Sequence, residues 1–169
     1  APAGVVPVPG RMLSIGRLER YKGHHRIIEA LPLVQREVPG AHLVILGDGP
    51  YKDELLALAA RCGVAASTEV RALPPSDRQG MAHEQASASV LAAMSEYEAH
   101  PVAVMEAVTL GLPVLGADVA GTSDMVEDGY VIGLPPDAST AAVADALVAQ
   151  LRATAARGEV PHARPPVDL

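Results

Sequence analysis

The sequence predicts an α/β domain, a Rossmann-like parallel sheet with helices on both faces. Three observations carry that prediction. Short runs such as MLSI, HLVIL and PVLGA are largely apolar, without a polar alternation, and a strand apolar on both faces belongs to a parallel sheet covered on both sides. Most are followed by a stretch with apolar residues at helical spacing, the β-then-α order of crossover connections. Gly16, Gly47, Ala72, Met94 and Ala117 all fall at strand ends, so the loops beyond them share one rim, where such sheets bind ligands.

The elements follow in order. After the opening APAGVVPVPG, Met12 to Ile15 is a strand ending at Gly16. A helix is predicted from about His24 to Arg36, with Ile27, Ile28, Leu31 and Val34 on one stripe. Pro32 lies inside it and is expected to bend or break it. His42 to Leu46 is a second strand, and Gly47-Asp48-Gly49-Pro50 turns the chain into a helix over about Tyr51 to Arg61. Thr68 to Ala72 is a weaker strand. Ser76-Asp77-Arg78 starts a short helix through about Gln85, and Ser87 to Ala92 is a fourth strand. A helix beginning at Pro101 ends at Gly111, each suited to its place: proline gives up an N–H that has no partner there, and glycine takes the left-handed exit. Pro113 to Ala117 is a fifth strand, Gly121 to Glu127 a helical turn, Ile132 to Pro136 an extended piece, and Ser139 to Ala155 a final helix.

The 169 residues suffice for one domain with a core. Residues 1–11 are expected to be a linker remnant, 12–157 the domain and 158–169 a flexible tail, the whole being a piece of a longer protein. Four tyrosines, no tryptophan and no phenylalanine argue against base stacking on an open sheet. A net charge of −7 argues against general nucleic-acid binding. One cysteine, Cys62, forms no internal disulfide, suits a reducing, cytoplasmic setting and is expected to be a buried small residue late in its helix.

The most informative stretch is SEYEAHPVAVMEAVTLGLPVLGADVAG, Ser95 to Gly121. It sets a helix N-terminus, which favours anions, beside a loop with Glu98, while Glu106 stands in the second turn. A carboxylate accepts paired hydroxyl donors, so phosphate and diols held together, as in a nucleotide sugar, fit this arrangement. Two solvated helix-end glutamates explain the same spacing. Arg17 and Lys22 follow the first strand, where a planar guanidinium and an ammonium suit a diphosphate. GDGP is not the GxGxxG fingerprint of dinucleotide sites. His24 and His25 point apart on a helix, and His83-Glu84 lacks a second histidine four residues on, so both pairs are expected to be surface residues. Glu96 and Glu98 do not make the D-x-D pattern of a metal-holding sugar transferase, and no metal or other cofactor is expected.

Taken together, SIGRLERYKG, HLVILGDGP, the Ser95 to Gly121 stretch and SDMVEDGYVIGLPP resemble the C-terminal, donor-binding domain of a two-Rossmann-domain (GT-B) glycosyltransferase, nearest to the large retaining family 4. The resemblance runs from about Met12 to Ala155. It implies transfer of a sugar, with retention, from a nucleoside diphosphate donor to an acceptor hydroxyl. Arg17, Lys22 and Glu98 would be catalytic: the first two on the diphosphate, Glu98 at the sugar. Glu106 would take the ribose hydroxyls, Ala72 and Leu73 would meet the base, and Gly16 with the backbone of Ala99, His100 and Val102 would complete the donor site. The family often has G-F-G after the first glutamate; here Ala99-His100-Pro101 stands there, and Pro101 brings no N–H. The implied partners are the NDP-sugar and an N-terminal acceptor-binding domain missing from this chain, without which it would transfer little. A nucleotide-sugar epimerase or phosphorylase-like enzyme on the same plan is the nearest alternative. A non-catalytic α/β interaction module is the more distant one.

Overall fold

A computed structural model describes residues 2–157; the expected tail, residues 158–169, lies outside the described residues. Six strands, β1 (Arg11–Ile15), β2 (His42–Leu46), β3 (Thr68–Arg71), β4 (Val90–Ala93), β5 (Val114–Ala117) and β6 (Ile132–Leu134), form one parallel sheet in the order β3-β2-β1-β4-β5-β6. The helices are α1 (His24–Glu37), α2 (Lys52–Arg61), α3 (Arg78–Ser87), α4 (Val102–Thr109), α5 (Ser123–Glu127) and α6 (Thr140–Ala156).

Alternation along each strand sends side chains to two separate cores. Met12, Leu43, Ile45, Val90, Ala92 and Leu115 point to the face covered by α1, α2 and α6. Leu13, Val44, Leu46, Leu91 and Val114 point to the face covered by α3, α4 and α5, of 10, 8 and 5 residues. A face covered by short helices leaves room between them.

α1 runs unbroken for 14 residues through Pro32, so of the expected bend or break the break does not occur. A proline inside a helix costs about 3 kcal/mol. Ile27, Ile28, Leu31 and Val34 are fully buried, and at about 2 kcal/mol each they outweigh that cost. α3 starts at Arg78, with the Asp77 side chain accepting from the Gly80 N–H at 2.8 Å. It runs to Ser87, so β4 begins only at Val90 rather than at Ser87. Cys62 is half-buried just beyond α2 rather than fully buried within it. β1 begins at Arg11, and the chain just before it is fastened: Val8 N–H donates to Ser87 O at 2.8 Å, and His42 N–H to Gly10 O at 3.0 Å.

Candidate functional site

The strand order turns back between β1 and β4, and in open α/β sheets the crevice at that switch point is the habitual ligand position. After β1 the chain makes a 3-10 turn, Arg20–Lys22, before α1; after β4 it passes through Met94 and Ser95 to Glu98. Two glycines let these segments meet. Gly23 has φ +74° and lies so close to the Met94 carbonyl that a Cβ would overlap its oxygen. Gly121, φ +95°, lies likewise against the Glu98 carbonyl. Any other residue at either place would push the loops apart and strain the backbone.

Side chains then fasten what the glycines bring near. Lys22 Nζ donates to Glu98 Oε1 at 3.0 Å and to Oε2 at 3.2 Å. The hydroxyl of Ser95, itself buried, donates to Glu98 Oε1 at 2.6 Å. Glu96 N–H donates to Tyr21 O at 2.8 Å, and the Tyr21 and Tyr97 rings stack at 5.0 Å. Below them His24 accepts at Nδ1 from Ser14 Oγ, 2.7 Å away, and donates from Nε2 to the Arg17 carbonyl at 3.1 Å. The carbonyl can only accept, so Nε2 carries a proton, and in the neutral ring Nδ1 accepts from the Ser14 hydroxyl. Burial holds the His24 pKa below the usual imidazole value.

Two clefts open on this rim. A small one of about 160 Å³ is lined by Gly16, Lys22, Glu98, His100, Pro101 and Val102, among others. A larger one of about 640 Å³ lies between α3 and α4, with Leu73, Pro74, Arg78, Met81, Met105 and Glu106 in its walls. Val102 lines both, so they meet at the start of α4. The small cleft sets an ammonium and a carboxylate among largely apolar walls; the large one is mainly apolar, with Asp77, Arg78 and Glu106 among its lining residues.

Of the residues singled out in the sequence, Gly16, Lys22, Glu98, His100 and Val102 meet in the small cleft, and Leu73, Val102 and Glu106 in the large one. Arg17 is not gathered with them: its side chain is 66% exposed, with Glu19 Oε1 3.4 Å away. Ala72 and Ala99 are exposed and line neither cleft. Pro101 is the residue before α4 rather than its first. Its φ of −79° and ψ of 60° make an inverse γ-turn, in which the Val102 N–H donates back to His100 O at 2.8 Å. Two amides of that loop are therefore withdrawn, Pro101's by chemistry and Val102's by this bond. The next two, of Ala103 and Val104, occupy positions that a helix leaves without internal partners, and both residues line the small cleft.

Two other expectations are corrected. His24 is fully buried, because its ring bridges Ser14 and Arg17. Glu84 is buried too, accepting from Arg11 Nη2 at 2.7 Å and, in a short contact, from Arg71 Nη2. Burial by itself raises the Glu84 carboxyl pKa; the hydrogen bonds from Arg71 and Arg11 outweigh it, and the net shift is downward. Ser95 went unmarked in the sequence, where a serine three residues before a glutamate carries no signal. Among the described residues no group of three or more His, Cys, Asp or Glu side chains could hold a metal ion, and no helix is long and apolar enough to cross a membrane.

The sequence pattern of the family described as "Glycosyl transferases group 1" matches residues 8–155. A glycogen synthase of Mycobacterium tuberculosis (strain CDC 1551 / Oshkosh) is 35% identical over 158 residues, covering 88% of this chain and 37% of that protein. A GDP-mannose-dependent alpha-(1-6)-phosphatidylinositol monomannoside mannosyltransferase of the same strain is 31% identical over 153 residues, covering 85% of this chain and 40% of that protein. The crystal structure of HepE from Anabaena, in complex with UDP and glucose, superposes with a TM-score of 0.77 at 20% identity, over 91% of this chain and 42% of that one. At that identity the likeness is one of fold alone, a Rossmann-like parallel α/β domain. The chain thus spans well under half the length of the curated relatives it matches, 37% and 40%.

Proposed function

This chain belongs to the glycosyl transferases group 1 family, and on that premise we propose that it is the donor-binding half of a retaining glycosyltransferase acting on an NDP-sugar. The observation that carries the reading is the pair of clefts meeting at Val102. A nucleotide sugar has the same division: a flat, partly apolar nucleoside, a pyrophosphate, and a pyranose rich in hydroxyls. The nucleoside would lie between α3 and α4, its base near Leu73 and its ribose hydroxyls on Glu106. The pyrophosphate would cross Val102 toward Lys22 and the amides of Ala103 and Val104, and the sugar would reach Glu98 and His100.

The chemistry follows from charge. As the sugar leaves, negative charge grows on the nucleoside diphosphate, and fixed cations and helix-end amides stabilise it more in the transition state than in the ground state. Lys22, which lines the small cleft, would supply one such cation. Arg17 would turn inward from solvent. The pyrophosphate charge is met in this reading by these cations and amides, without a metal ion, and turnover of the whole enzyme should survive EDTA. The acceptor would be presented by a second domain that this chain does not supply.

Calorimetry with UDP, GDP and ADP and their sugar-loaded forms tests the reading: at least one should bind, and heat from none of them overturns it. In the full-length enzyme Lys22→Ala and Arg17→Ala should each lower turnover by about 100-fold or more, the usual consequence of losing one preorganised donor. Unchanged turnover in both would remove them from the mechanism.

A further inference from the structure

Lys22 is already engaged. Both oxygens of Glu98 hold its ammonium, and the two side chains keep 18% and 11% of their surface exposed. A pyrophosphate that recruits Lys22 therefore competes with Glu98 and ends beside a carboxylate. That carboxylate has little freedom to move aside. Ser95 Oγ, 2.6 Å from Oε1, fastens the side chain, and the backbone is set by the Glu98 N–H to Ala120 O bond at 3.3 Å and by Gly121 packed on its carbonyl. Once parted from Lys22, Glu98 needs donors that a phosphate does not carry, since phosphate oxygens only accept. A pyranose carries them: two neighbouring hydroxyls present two O–H donors to the two carboxylate oxygens.

We propose that Glu98, positioned by Ser95, makes this site discriminate between the sugar-loaded nucleotide and the free nucleoside diphosphate. The inference rests on the donor-site reading above. An NDP-sugar exchanges the Lys22–Glu98 pair for two satisfied partnerships, pyrophosphate with Lys22 and hydroxyls with Glu98. A free nucleoside diphosphate satisfies only Lys22 and leaves the Glu98 carboxylate, with Ser95 still donating to it, facing phosphate, an arrangement of like charges that costs affinity. Glu98 thereby acts twice, holding the donor before transfer and weakening the grip on the product after it. Ser95 acts through Glu98 and touches neither ligand.

The test compares affinities for UDP with UDP-glucose, GDP with GDP-mannose and ADP with ADP-glucose, by calorimetry on this chain and its variants. Unmodified protein should bind the sugar form of the preferred nucleotide more tightly than the bare form. Glu98→Gln keeps the shape and can keep the Ser95 contact while removing the charge. It should bind the bare nucleotide about tenfold more tightly than the unmodified protein does, the scale of one charged hydrogen bond. The preference for the sugar form should shrink by a similar factor or more. Ser95→Ala, a small change that a melting curve can show to be folded, should move the same ratio in the same direction by a smaller factor; a purely structural serine would weaken both ligands alike. If the protein binds bare and sugar nucleotides but Glu98→Gln leaves their ratio unchanged, this inference is overturned and the donor site stands. If no nucleotide binds in either form, the donor site falls and takes the inference with it.

Discussion

Glu84 and Glu98 keep the same fraction of their side chains exposed, 11%, and each is held by cations from elsewhere in the chain. Their settings differ. Glu84 stands on α3 and ties Arg11, at the start of β1, to Arg71, at the end of β3, bracing the sheet across the intervening β2. It has two guanidiniums for one charge and lines neither cleft. Glu98 has one ammonium and one hydroxyl, and stands in a cleft wall at the switch point. The difference teaches that burial and ion pairing alone do not mark a site. What does is whether an incoming ligand can replace the partner: neither of the two clefts reaches Glu84, whereas Lys22 lines the small one.

The largest expected effect tests that contrast through stability. Truncating one member of a buried ion pair strands the other and costs about 3 to 5 kcal/mol. Arg71 is a third exposed, which softens the loss, so Glu84→Ala should destabilise the chain by about 3 kcal/mol in a urea titration. Glu98→Ala should cost only about 1 kcal/mol, because the flexible Lys22 stem can carry its ammonium into the water of the cleft. The ligand readout should invert: Glu84→Ala keeps the affinity ratio between bare and sugar nucleotide, and Glu98→Ala loses it. Equal losses of stability would erase the distinction between brace and site.

The two glutamates also measure how far the sequence could be read. Glu98 was legible because it belongs to a spaced pattern: a carboxylate, a proline at a helix start, a second carboxylate in the next turns, and a glycine exit. The parallel sheet was legible for the same kind of reason, since strands apolar on both faces have few other places to go. Glu84 was not. Its partners Arg11 and Arg71 lie 73 and 13 residues away, and no local period announces a contact made through strand order. His24 was hidden similarly: beside His25 it reads as surface, and only Ser14 in β1 and the Arg17 carbonyl turn it inward. The start of α4 was misplaced by one residue for a more local reason, since Pro101 closes a γ-turn before the helix begins.

The smallest expected effect separates these buried groups by pH. His24 and His25 have pKa values below 6.5, chiefly through burial. As the pH falls below 6.5, the unfolded imidazoles take up protons that the folded ones do not, and stability declines. Glu84 adds a second, more acidic limb. Its folded pKa lies below 4.5 despite burial, because Arg71 and Arg11 favour the anion. Its stabilising contribution is complete above 4.5 and is lost as the pH falls from there through the folded value, where the unfolded carboxyl is protonated first. Each group contributes a slope below about 1.4 kcal/mol per pH unit. Urea titrations from neutral to acid pH should therefore show Glu84→Gln less stable than the unmodified chain above 4.5, the gap narrowing below it, while the histidine limb that begins at 6.5 is unchanged. A gap that stays constant through the acid range would mean that Glu84 braces the sheet by shape rather than by charge.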